Sequence, residues 1–277
     1  MDQLTVETLD RPAGDDEVRA LLPGLGPDRV LLGGGTFLFS VPQPHVRGMV
    51  DLTATRWPPL TVADDGLTVA ATATLAELAD LDPAAHPHWP ALPLLAACCE
   101  ALVGSRKIWH VATVGGNICL ALPAGPMIAL AAALDGVAVI WDPAGRERRE
   151  PVADLVVGAQ RTTLAPGELL RSVHLPAAAL RGRTALRKAS LSPLGRSAVL
   201  LAGRRDDDGG FTLAVTAALP RPAVLRRPGL PDADGLAADL DALAHTHGGW
   251  FDDPHGTPEW RHAMTRHLAE EIRTELR

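Results

Sequence analysis

The sequence of 277 residues holds only three cysteines, Cys98, Cys99 and Cys119. Adjacent cysteines do not pair with each other, and no CxxC spacing occurs. That argues against a disulfide framework, a zinc ribbon, or an iron–sulfur cluster held by this chain alone. Such cysteine usage fits a reducing cytoplasm. Positive charge is also short: 26 Lys and Arg stand against 33 Asp and Glu, for a net charge of −7. Binding a phosphate backbone needs clustered basic residues, and local basic groups such as Arg181, Arg183, Arg187 and Lys188 are short. Nucleic acid is therefore not an expected partner. The longest apolar run, Met127 to Leu134, is far below the roughly 20 residues that span a bilayer. The opening MDQLTVETLDRP is acidic with no apolar stretch, so no signal peptide is expected. No internal repeat and no low-complexity tract appears beyond alanine-rich helices.

What is present reads as globular protein: 47% hydrophobic and 21% charged residues, enough chain for two domains or one large one. Strands are expected at Leu4–Leu9, Arg29–Leu32 and Gly48–Leu52, with a helix over Asp15–Leu22, making a small β-α-β unit that ends near Thr55. A second unit follows. Leu60–Ala63 and Leu67–Ala71 flank a turn at Asp65-Gly66, a hairpin signal. Thr74 with Glu77 three residues on marks a helix start at Leu75. Helices over Leu92–Val103 and Met127–Leu134 and strands at Val137–Trp141 and Arg146–Pro151 complete this unit. Beyond Pro176, strands are expected at Thr184–Ala189, Ser197–Gly203 and Phe211–Leu219. A proline-rich block, PRPAVLRRPGLPDADG, reads as a loop. Helices near Gly235–His245 and Pro258–Leu276 follow, the second capped by Thr257.

Two glycine stretches carry the chemistry. Gly33-Gly34-Gly35-Thr36 follows the strand at Arg29–Leu32. Glycine lets successive backbone N–H groups face one concavity and lets an anion come close, and a threonine hydroxyl adds a donor. Taken alone, the same four residues also make a plain tight turn. Thr113, Gly115, Gly116 and Asn117 repeat this chemistry in the second unit, so the two stretches can converge on one diphosphate. Neither has GxGxxG spacing, and there is no GxxxxGK[ST] loop, which disfavours a single-fingerprint dinucleotide fold and an NTPase.

LLGGGTFL (Leu31–Leu38), followed about 80 residues later by VATVGGNI (Val111–Ile118), resembles the FAD-binding subunit of the xanthine dehydrogenase and carbon monoxide dehydrogenase family of molybdenum hydroxylases. GSRKIWHVATVGGNIC, LVVGAQRTTLAPGELLRSVHLP and LRKASLSPLGRSAV extend the likeness along most of the chain, in order. The resemblance implies an α+β fold: a two-subdomain, PCMH-like FAD-binding domain over residues 1–176, divided near residue 55, then a smaller domain at 177–277 with a three-stranded antiparallel sheet and helices. It implies FAD as cofactor. Leu32, Gly33, Gly34, Gly35, Thr36, Phe37 and Leu38, with Thr113, Val114, Gly115, Gly116 and Asn117, would bind it, and Lys188 would lie near the flavin ring. It also implies two partners, a small subunit with 2Fe-2S clusters and a large molybdopterin subunit, whose electrons reach an external acceptor through the flavin.

The sequence departs from the family at several points. Phe37 replaces a polar residue, and Trp109-His110 replaces Arg-Asn. Where the family has a serine and, four residues on, a ribose-binding aspartate, this chain has Leu122 and Pro126. A charged hydrogen bond lost there costs about 1.5–3 kcal/mol, or one to two decades in affinity. No tyrosine exists to cover the flavin. Phe37, Trp57 and Trp109 are the candidate replacements, with core packing the expected role of each. His45 and His110 are candidate bases or donors near the loops, with a structural role expected. Three functions remain open at this level: the electron-transfer flavin subunit, a free-standing flavoenzyme on the same scaffold, and a relative that has lost its flavin.

Overall fold

The structure, a computed structural model, describes residues 4–277. Three strands open the fold: β1 (Thr8–Asp10), β2 (Arg29–Leu32) and β3 (Gly48–Asp51), in the order β1-β3-β2. Both pairings are parallel, so the chain must cross over between strands. Helix α1 (Asp15–Leu21) provides the first crossover. Its first turn carries Asp15, Asp16 and Glu17, which favour a helix start by facing the positive end of the helix dipole. Its Val18 packs with Leu22, Val50 and Leu52. The carboxyl ends of β2 and β3 lie side by side, and β2 runs directly into Gly33.

The hairpin of β4 (Leu60–Ala63) and β5 (Gly66–Ala70) forms as expected, with Asp64-Asp65 rather than Asp65-Gly66 as its turn. At α2 (Leu75–Ala79) the foreseen cap is present: Glu77 N–H donates to Thr74 Oγ1 at 3.2 Å, and Thr74 N–H donates to Glu77 Oε2 at 2.8 Å. Then come α3 (Pro93–Ala101), α4 (Arg106–Trp109), α5 (Val114–Leu120) and α6 (Pro126–Ala133). Every residue of α6 is buried, as suits a helix apolar on all sides. It packs against α3 and α5 on one side and against the C-terminal sheet on the other.

Strands β6 (Val137–Trp141) and β7 (Glu147–Pro151) are followed by the single turn α7 (Val152–Leu155) and the short pair β8 (Val156–Gly158) and β9 (Arg161–Thr162). The next strand, β10 (Leu169–Pro176), is the centre of a five-stranded sheet ordered β4-β5-β10-β6-β7. It pairs antiparallel with both β5 and β6. This strand was not expected. Its register against β6 shifts between Leu170 and Ser172, and the extra residue breaks the two-residue alternation by which a strand is read.

After the turn α8 (Ala177–Leu180), a second antiparallel sheet runs β11 (Arg183–Ala189), β12 (Val199–Arg205), β13 (Phe211–Thr216) and β14 (Ala223–Arg227). It has four strands where three were expected. The fourth lies inside the proline-rich block read as a loop. Its prolines stand outside the paired residues, so all five residues, Ala223 to Arg227, can pair with β13. Helices α9 (Ala233–Thr246) and α10 (Pro258–Glu275) flank this sheet, with α10 capped by Thr257. Arg204 of β12 locks the sheet to α6. Its guanidinium donates to the Ala133 carbonyl and to Asp135, both at 2.6 Å, and to Asp206 at 2.7 Å.

Candidate functional site

The two glycine stretches meet. Gly33 and Gly34, past the end of β2, lie against Val111–Thr113, just before α5. A Cβ on Gly33 would sit 2.9 Å from Thr113 Oγ1, and one on Gly34 would collide with the Val111 carbonyl oxygen. Only glycine permits this backbone-to-backbone crossing. Gly35 has φ +68°, a left-handed conformation that strains any other common residue.

Their hydrogen-bonding groups differ. In the second stretch every N–H from Val114 to Asn117 is taken within the protein. Val114 donates to Ala73 O at 2.8 Å, Gly115 to Ala71 O at 2.8 Å, Gly116 to Thr113 Oγ1 at 3.1 Å and Asn117 to Thr113 O at 3.0 Å. In the first stretch, the N–H groups of Gly34, Gly35, Thr36 and Phe37 have no protein acceptor among the described residues. A row of free donors on a glycine turn is a ready anion cradle. The expectation that both stretches offer N–H groups is therefore met by the first alone. The second was read as a loop, but from Val114 onward it is helix α5, and Thr113 is its cap.

A cavity opens on either side of this crossing. The first, about 500 Å³, is polar on one wall, with Asp51, Thr53, Arg56, Thr74, Glu77 and His110, and has Trp57 and Phe39 on the other. The second, about 480 Å³, is mainly apolar, with Leu102, Val103, Ile108, Leu120 and Leu122 beside Asn117 and Cys119. Gly33, Gly34, Leu32 and Thr113 belong to both linings. Each cavity lies within the size range of small-molecule sites. The two cavities thus adjoin as one groove; of the free donors, Gly34 stands at their shared edge, and Gly35, Thr36 and Phe37 line the second cavity.

Most residues singled out from the sequence are brought together here. Leu32 to Leu38, Thr113, Gly116 and Asn117 line the groove. Val114 and Gly115 are buried behind it. Lys188 on β11 and His45 line neither cavity. His110 is exposed and lines the first cavity. Phe37 corrects the expectation of core packing: it is 39% exposed and lines the second cavity. Trp109 is core, at 8% exposure, and Trp57 is both buried, at 7%, and part of the first cavity's wall. Leu122 lines the second cavity, but Pro126 is buried. Pro126 is the first residue of α6, where a missing N–H costs nothing. The Asn117 carboxamide oxygen accepts the next N–H of that helix, from Met127, at 3.1 Å.

Sequence reading missed Asp51, Thr53 and Arg56 in the polar wall of the first cavity. Asp51 ends β3 and Thr53 and Arg56 follow it, at the carboxyl end of a parallel strand, where ligands of such sheets gather. The parallel β-α-β unit was the available signal.

A family model described as the FAD binding domain in molybdopterin dehydrogenase matches residues 9–178. Comparison with curated proteins gives no significant match. Among solved structures, the chain is similar to carbon monoxide dehydrogenase from Hydrogenophaga pseudoflava, in a form lacking the Mo-pyranopterin moiety (TM-score 0.82, 21% identity). It is also similar to reconstituted CO dehydrogenase from Oligotropha carboxidovorans (TM-score 0.81, 22% identity). A third likeness is to quinoline 2-oxidoreductase from Pseudomonas putida 86 (TM-score 0.79, 20% identity). In all three, the match covers 100% of this chain and 98% of the other. At these identities the likeness establishes the fold.

Proposed function

We propose, from the premise that the chain belongs to the family of the FAD-binding domain in molybdopterin dehydrogenase, that it is the FAD-binding electron-transfer subunit of a molybdenum hydroxylase. The observation that carries this reading is the row of unpaired N–H groups from Gly34 to Phe37, which starts at the edge shared by two adjoining cavities and continues along the second. A diphosphate flanked by two ring systems has that shape and needs those donors. The residues fit the group. Glycines leave the cradle open, Thr36 adds a hydroxyl, and the two cavities receive the two ends. Thr113 and Gly116 form the facing wall, and Asn117 fixes the start of α6 beside it. Bound FAD supplies a carrier able to exchange electrons singly or in pairs.

In this reading residues 1–176 form the cofactor domain and 177–277 a smaller domain against it. The chain offers no cluster of three or more metal-ligating side chains among its described residues. In the same reading, iron–sulfur and molybdopterin centres belong to separate subunits, which feed electrons to this one for delivery to an external acceptor. No helix among the described residues is long and apolar enough to cross a membrane.

Titration of the purified chain with FAD tests the reading. Saturable uptake at micromolar FAD with a visible flavin band is expected. A colourless protein with no uptake would overturn it. The electron-transfer role predicts that the flavin is reduced by the complex's substrate only when the two partner subunits are added. Reduction by a small substrate without them would identify a free-standing flavoenzyme.

A further inference from the structure

The five-stranded sheet carries an irregularity with an unusual neighbour set. Arg171 is the extra residue where β10 shifts register against β6. Such bulges re-aim a side chain, and here the guanidinium is sent back between two tryptophans. Its Cζ lies 3.8 Å from the Trp57 ring centroid and 5.4 Å from that of Trp141. The two indoles meet edge to face at 6.0 Å. Arg171 Nε is buried without a hydrogen-bond partner among the described residues, and the nearest carboxylate, Asp15 on α1, is 3.9 Å away. Burial pushes the guanidinium below its ordinary pKa. The cation is therefore held largely by ring faces, an arrangement favoured when the charge is desolvated.

Both ends of this residue lead to the groove. On the side-chain end, Trp57 donates its Nε1–H to Asp15 at 2.7 Å and forms part of the first cavity's wall. On the backbone end, the Arg171 carbonyl accepts the Ala71 N–H at 3.0 Å, and the Ala71 carbonyl accepts the Gly115 N–H at 2.8 Å. Gly115 is packed so closely on Ala71 that a Cβ there would clash with Ala71 itself. The first glycine stretch comes from the three-stranded sheet, and the second is bonded to the residues just past β5 of the five-stranded one. Whether they meet depends on how these two sheets are seated on each other.

We propose that Arg171 is a positioning residue for the dinucleotide groove, wedging Trp57 into the first cavity's wall while bracing the second glycine stretch through Ala71. This rests on the reading of the groove as the FAD site. Arg171 touches no part of the groove itself; it acts through Trp57 and Ala71. Its backbone link survives substitution, so a side-chain variant isolates the Trp57 arm.

The test is FAD titration of five full-length proteins, each below its melting temperature: wild type, Arg171→Met, Arg171→Lys, Trp57→Leu and the double variant Arg171→Met with Trp57→Leu. Arg171→Met keeps the stem and removes the cation; about a tenfold loss of FAD affinity is expected, with the far-ultraviolet circular dichroism unchanged. In the Trp57→Leu background the same substitution should cost less than about twofold, because its route to the groove is gone. Arg171→Lys should recover most of the affinity. Equal losses in both backgrounds would reduce Arg171 to general structural support, and no loss in either would remove it from the site; both overturn the proposal. If Arg171→Met does not fold, Arg171→Lys still decides, since near-wild-type affinity is required of it. Failure of wild type to bind FAD would instead strike the function proposed above.

Discussion

The two glycine stretches are nearly alike in composition and opposite in use. Gly33-Gly34-Gly35-Thr36 stands at the end of a parallel strand with its following N–H groups open. Val114 to Asn117 has every N–H engaged, by residues just past β5, by the capping threonine or by its own helical turn. The first stretch is a set of donors and the second is a platform. Glycine serves both, for different reasons: in one it exposes the backbone to a ligand, in the other it lets α5 lie on Ala71. A glycine-rich motif alone does not say which, because the distinction lies in what the flanking backbone does with its hydrogen bonds.

Removing the crossing itself should have the largest effect. In Gly34→Ala the added methyl meets a backbone carbonyl, which cannot rotate away as a side chain would. Overpacking of this kind costs about 1–3 kcal/mol or more, and the shift it forces misplaces the donors. More than a hundredfold loss of FAD affinity, about 2.7 kcal/mol, is expected together with a lower melting temperature. Gly116→Ala is its counterpart in the platform. There the only close neighbour is the Thr113 hydroxyl, so the loss should be much smaller. Equal losses, read by flavin content and titration, would erase the difference between the stretches.

A milder change separates donor from platform. Thr36 is exposed, and Thr36→Val preserves its shape while removing the hydroxyl. Without ligand nothing should change, and the melting temperature should match wild type. With FAD, one hydrogen bond to a charged group is lost, worth about 1.5 kcal/mol or roughly tenfold in affinity. A variant that binds FAD as wild type would take Thr36 out of the cradle and leave the backbone alone to form it.

How far the site could be read from sequence follows the same division between local and long-range causes. The Thr74–Glu77 cap, the Thr257 cap and the strands at Arg29–Leu32 and Val137–Trp141 rest on local patterns, and all appear in the structure. Strand β10 was illegible because its bulge at Arg171 breaks the alternation. Strand β14 was hidden by flanking prolines that never enter the ladder. Phe37 looked like core because it is large and apolar, yet it is exposed and lines the second cavity. The part of the polar wall made by Asp51, Thr53 and Arg56 belongs to no motif; the parallel seating of β2 beside β3 brings it to the glycine stretch. Pro126 is the most instructive residue. Aligned with the family it reads as a lost contact, but in the fold it is the buried first residue of α6.

The smallest expected effect comes from the platform's own cap. Thr113 Oγ1 accepts the Gly116 N–H and abuts Gly33, so it supports the second stretch and seats the first. Thr113→Ala removes an N-cap, which costs about 1 kcal/mol of stability. That loss should be present without FAD, visible as a lower urea midpoint, with affinity reduced only about fivefold through the loosened seat. The pattern is the reverse of Thr36→Val, where affinity falls and stability holds. If Thr113→Ala instead lowered affinity tenfold or more with an unchanged urea midpoint, its hydroxyl would be a ligand donor in the bound state. The second stretch would then join the cradle on FAD binding, and the division between donor and platform would hold only for the free protein.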